Sequence, residues 1–149
     1  MLVGRGGRRT VARRRLVAAG GRIVGAGLVW WSGDAHWRLW RDVGYRYIPI
    51  IGPLFVVQVV MASVLGGLVL AWWRRWTALA GAAFALGTLA GFVISVVHGL
   101  FGFRDVWSSP YAVECAVLES AAAVMLVTSA VATPRRRRGR TSSPGSGRG

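Results

Sequence analysis

The chain has 149 residues, is 54% hydrophobic and only 16% charged, and carries a net charge of +14 from nineteen arginines and no lysine. That is too much apolar surface for a soluble domain of this length. The single cysteine, Cys115, excludes an internal disulfide or a CxxC redox pair. No phosphate loop, HExxH or nucleophile motif is present, so no enzymatic activity is expected.

Residues 1–15 are rich in glycine and arginine, lack apolar periodicity and read as a disordered basic arm. The first apolar run, near 16–33, is interrupted by Arg22. It fits either a cleaved signal peptide with Arg13–Arg15 as its basic start, or a signal-anchor helix whose Arg22 snorkels to the cytoplasmic headgroups. The anchor reading is preferred, because Trp30 and Trp31 suit an interfacial belt better than a cleavage site. The following connection, Ser32–Tyr47, is longer than a bundle turn needs. With Trp37, Leu39 and Trp40 as apolar anchors, it reads as a short interfacial helix ended by Gly44.

Three further apolar runs, near 49–73, 76–101 and 111–132, are each long enough to cross a hydrocarbon core that needs about 20 helical residues. In lipid each backbone polar group needs an internal partner, which an isolated apolar segment supplies only as a helix. Pro49 falls near the start of the second span and Ser-Ser-Pro (Ser108–Pro110) before the fourth. Residues 134–149, with Arg135–Arg138 and Arg140 followed by Ser, Pro and Gly, read as a disordered basic tail.

The arginines set an orientation. Fifteen fall in the arm (with Arg22), at Arg74–Arg75 and in the tail, against four (Arg38, Arg41, Arg46 and Arg104) on the other side. The positive-inside rule then puts both termini in the cytoplasm. The expected fold is all-α: a four-helix transmembrane bundle spanning residues 16–133 of a multi-pass plasma-membrane protein. After a membrane span, a basic tail is more simply an anchor for anionic lipids than a nucleic-acid site, so the bilayer is the expected partner and nucleic acid is not.

Two groups of residues are candidate sites. Ala83, Gly87, Gly91, Ser95 and Gly99 form a small-residue stripe, with Gly87, Gly91 and Ser95 at its centre. Small residues let helix backbones approach closely in lipid. This face is expected to pack against a helix of the same bundle, a second copy or another membrane protein. In the outer half, Glu119, His98 and Gln58, with Glu114 nearer the surface, are expected to form a polar pocket opening outward, in which a carboxyl and a histidine could exchange a proton. The bland alternative is that Glu119 is interhelical glue. His36 and His98 carry no local haem or zinc signature, so no cofactor or metal is expected.

The stretch Gly44–Pro49 with Gly52, Pro53, Leu54 and Phe55, and the segment Gly99-Leu100-Phe101-Gly102-Phe103, resemble small four-span actinobacterial membrane proteins. The resemblance implies the four-span fold and carries no activity or site residue. Function therefore reads as structural or accessory, with a small transporter or proton-linked module around Glu119 as the alternative.

Overall fold

The computed structural model describes residues 4–133, and side chains from Thr10 onward. Four helices follow one another: α1 (Gly4–Asp42), α2 (Ile51–Ala71), α3 (Arg75–Val97) and α4 (Ala112–Ala132), with a short 3₁₀ turn at Tyr45–Tyr47. The last three are long and apolar enough to cross a membrane. The basic tail from residue 134 lies outside the described residues.

α1 corrects two expectations. Residues 4–15 are helical rather than disordered, and the helix continues without a break to Asp42, so no separate interfacial helix exists. Arginine is a good helix former, and nothing between Ser32 and Asp42 breaks the pattern. Trp37 and Trp40 stack on each other along this single helix, ring centres 5.0 Å apart. Gly44 does stop it, in a left-handed conformation at φ 96° that a side chain would disfavour.

The buried face of α1 runs through Ala18, Arg22, Gly25, Val29, Ser32, Ala35 and Leu39, at spacings of three and four. α4 repeats that rhythm with Cys115, Glu119, Ala122, Leu126 and Ser129. α1 packs lengthwise on α4 and α2, and α3 packs lengthwise on α4, whereas α2 and α3 touch over a much shorter length. The bundle therefore reads α2–α1–α4–α3, with the α2–α3 side left open.

The small residues that bring helices together are not those of the expected stripe. Leu126 fills the hole left by two glycines: a Cβ on Gly25 would lie 2.6 Å from its Cδ2, and one on Gly81 2.9 Å from its Cδ1. Gly21 lies under Met125, where a Cβ would come 2.9 Å from the carbonyl oxygen. Gly66 lies under Trp30, whose Nε1 would be 2.4 Å from a Cβ there. α3 meets α4 through Ala78, Gly81, Ala82 and Ala85, all buried. By contrast, a Cβ on Gly87 or Gly91 would meet nothing within 4 Å. The face expected to be a helix contact faces open space.

Arg22 does not snorkel. Its guanidinium is fully buried and donates to the carbonyls of Val69 (3.1 Å), Trp72 (2.9 Å) and Arg74, and to Thr77 Oγ1 (3.2 Å). Val69 O is a carbonyl that the end of α2 leaves without a helical partner, while Trp72 O and Arg74 O, in the turn into α3, also accept from the Arg74 and Thr77 N–H groups; all lie at the negative end of the α2 dipole. The bond pattern also sets the register of α1. Arg22 is level with the α2–α3 turn, and Ala18 receives a 2.8 Å hydrogen bond from Ser129 near the end of α4. Trp30 donates to Ser63 O near the middle of α2 (3.2 Å), so it is not at the outer boundary. The part of α1 that runs beside the other helices extends from about Ala18 to Leu39, several residues beyond the expected 16–33.

Candidate functional site

At the end of the bundle opposite Arg22, α2 and α3 separate and leave a cavity of about 320 Å³. Its floor comes from α1 and α4 (His36, Cys115, Glu119), and its sides from α2 (Leu54, Phe55, Val57, Gln58) and α3 (Phe84, Gly87, Thr88, Gly91, Phe92, Ser95). Gly87 and Gly91 make the space by having no side chain to put in it.

The loops at this end of the bundle cover the top. Gly99, at φ 83°, ends α3 in the left-handed conformation common after a helix. A tight turn follows, in which Leu100 and Phe103 exchange backbone hydrogen bonds of 2.7 and 2.9 Å, with Phe101 and Gly102 both at positive φ. Arg104 then donates to the carbonyls of Val96 (3.2 Å) and Val97 (2.9 Å), capping α3 as Arg22 caps α2. Asp105 ties the two loops together. Its carboxylate accepts from the Tyr45 hydroxyl (3.3 and 3.4 Å), the Val106 N–H (2.8 Å) and the Ser109 hydroxyl. Burial pushes the Tyr45 phenol above its ordinary value of 10.0, which keeps it a donor. Tyr45 also packs on Phe55 and Phe103, ring centres 4.9 and 5.6 Å apart. The pocket therefore does not open past the loops at the helix ends, as the sequence suggested it would. Its free side is the gap between α2 and α3, where Leu54 and Val57 are exposed.

Glu119 is only 2% exposed and accepts a 3.1 Å hydrogen bond from Ser32 Oγ. His36 faces the same carboxylate, Nε2 to Oε1 3.9 Å, and its Nδ1 lies 2.8 Å from the Ser32 carbonyl. A carbonyl can only accept, so Nδ1 carries the hydrogen and, in the neutral ring, Nε2 is a lone-pair acceptor. When Glu119 is ionised, two acceptors thus face each other across a distance too long for a direct hydrogen bond. Gln58 is 9% exposed, lines the cavity and has a side-chain N–H group with no hydrogen-bond partner.

Of the four residues expected to form a pocket, Glu119 and Gln58 meet here. His98 is exposed at the end of α3 and does not line the cavity. Glu114 is half-buried outside it and accepts from Trp31 Nε1 at 2.9 Å. Ser95 lines the cavity too, and its hydroxyl receives the Asp105 N–H at 3.3 Å. Sequence reasoning missed His36, because it was assigned to an interfacial segment. The unbroken helical spacing Ser32, His36, Leu39 was the signal that could have found it.

No family model, curated protein or solved structure matches the chain, so the functional reading rests on this geometry.

Proposed function

We propose that the chain is a four-span integral membrane protein with both termini in the cytoplasm, which binds a small amphiphile in the cleft between α2 and α3. α1 serves as the fourth span: its buried face runs the length of α4 and α2, and its only arginine between Leu16 and Trp37 is internally capped. Arg22, Arg74, Arg75 and the end of α4 share one end of the bundle, in keeping with an arginine-rich cytoplasmic side that attracts anionic lipids.

The observation that carries the binding role is a glycine-lined cavity, walled by aromatic rings and ending on a buried carboxylate. Ligand sites have this form, a largely apolar concavity with a few convergent polar groups. A purely accessory role gives Gly87 and Gly91 no reason to face open space, unless a partner helix fills it. The test is saturation-transfer NMR of the full chain in lipid nanodiscs with 4-phenylbutanol, a neutral probe of suitable shape. Saturable binding to the native protein, lost in Gly91→Leu, is expected. Binding that is absent, or equal in the two proteins, contradicts the reading. Dimerisation that G91L abolishes would assign the cleft to a second copy instead.

A further inference from the structure

We infer that the cleft selects a lipophilic primary amine with an oxygen acceptor beside the nitrogen, a proposal that rests on the binding role above. Three independent features of the site converge on this class.

The first is charge. The chain carries nineteen arginines and five acidic residues, yet among the described residues no arginine lines the cavity and two carboxylates, Glu119 and Asp105, do. Asp105 is engaged by three donors from the loops. Glu119 accepts from the Ser32 hydroxyl and has the Thr88 hydroxyl beside it, and its two oxygens keep acceptor capacity for a further donor. Aromatic rings stand around it, and their negative faces also favour a cation. An anionic head would meet carboxylates without a compensating arginine.

The second feature is donor count. With Glu119 ionised and His36 neutral, Nε2 and Oε1 face each other at 3.9 Å with no hydrogen between them, because the histidine hydrogen is committed to Ser32 O. A group with at least two N–H donors bridges such a pair, and a primary ammonium carries three. A quaternary ammonium carries none and leaves both acceptors unmet.

Gln58 supplies the third feature. Its buried amide N–H has no partner among the described residues, and leaving such a donor dry is costly. A hydroxyl or ether oxygen one or two atoms from the ammonium would accept it. The remaining space, between Phe84 and Phe92 and the gap to lipid, takes an apolar body.

The experiment compares equal-shaped probes on the unmodified protein in nanodiscs: 4-phenylbutylamine, 4-phenylbutanol and 4-phenylbutyrate, with 2-amino-4-phenylbutan-1-ol as the amino alcohol. A hydrogen bond to a charged group exceeds a neutral one by roughly 1.4 kcal/mol, so the amine should bind about tenfold more tightly than the alcohol. The butyrate should be the weakest, and the amino alcohol tighter than the amine. Glu119→Gln, which keeps an acceptor for Ser32, should bring amine and alcohol to equal affinity, and Gln58→Leu should remove the gain from the hydroxyl. Equal binding of amine and alcohol, or preference for the butyrate, overturns the proposal while leaving the cleft a binding site. Failure of all four probes overturns both. An amino alcohol no tighter than the amine removes the part assigned to Gln58. Because the probe series uses the native chain, a variant that fails to fold does not weaken the decision.

Discussion

The two ends of this bundle are built from the same residue types to opposite effect. At the arginine-capped end, Gly21, Gly25, Gly66 and Gly81 are each overlain by a side chain or backbone of a neighbouring helix, at distances that leave no room for a methyl group. At the far end, Gly87 and Gly91 have nothing above them. Glycine thus marks close approach at these four positions, and at Gly33 and Gly52 as well, but a void at Gly87 and Gly91. Only the identity of the facing residue decides: Leu126 and Trp30 fill the space over their glycines, while α2 diverges from α3 and sends nothing toward Gly91.

Substitutions should separate the two halves, and the largest effect belongs to Arg22. Its replacement by Met keeps the volume and removes a buried donor that serves three carbonyls. At the upper end of the cost of leaving a buried acceptor unmet, this should destabilise by at least about 3 kcal/mol, read as a large fall in the unfolding temperature of the detergent-solubilised protein. Should Arg22→Met unfold at the native temperature, the buried cap is not what holds the α2–α3 turn.

Gly25→Ala comes next. Forcing a methyl into a filled contact costs about 1–3 kcal/mol, and Gly66→Ala should behave alike by displacing Trp30. If both substitutions are neutral, the close half is looser than described. In the open half the sign changes: Gly87→Ala should be neutral or stabilising by up to about 1 kcal/mol, because alanine is the better helix former and meets no neighbour. The smallest effect concerns the loops. The phenol of Tyr45 is raised, so the native state holds that proton more tightly than the unfolded chain. Stability from it is present below pH 10 and lost as pH rises through the folded value. In an alkaline titration, Tyr45→Phe should therefore flatten the loss of stability above pH 10. An unchanged slope would remove Tyr45 from the loop clasp.

Much of the architecture was legible in the sequence, because long apolar runs have few ways to satisfy their backbones. The cores of α2, α3 and α4 fall inside the expected runs. α1 was harder. Its glycines and arginines read as a disordered arm, a span and a surface helix, whereas it forms one continuous helix that packs on α4 and α2 from about Ala18 onward. Arg22 shows the limit of local reading. An arginine in an apolar run can snorkel or cap, and only the position of the α2 terminus, about fifty residues away, decides which. The candidate pocket was half visible for the same reason. Glu119 and Gln58 stand out as polar groups in apolar helices. His36 enters the site only once the register of α1 against α4 is known, and the small-residue stripe does not reveal whether it faces a helix or a void.

The central claim, that the α2–α3 side is open where Gly91 stands, is tested most directly by the unfolding midpoint of Gly91→Leu against the native protein, measured in the same detergent. A Cβ at this position meets nothing within 4 Å, and the leucine has a cavity of about 320 Å³ to enter. The account predicts a midpoint at or above that of the native chain. A fall as large as that of Gly25→Ala would contradict it, because it would mean that a helix already occupies the cleft.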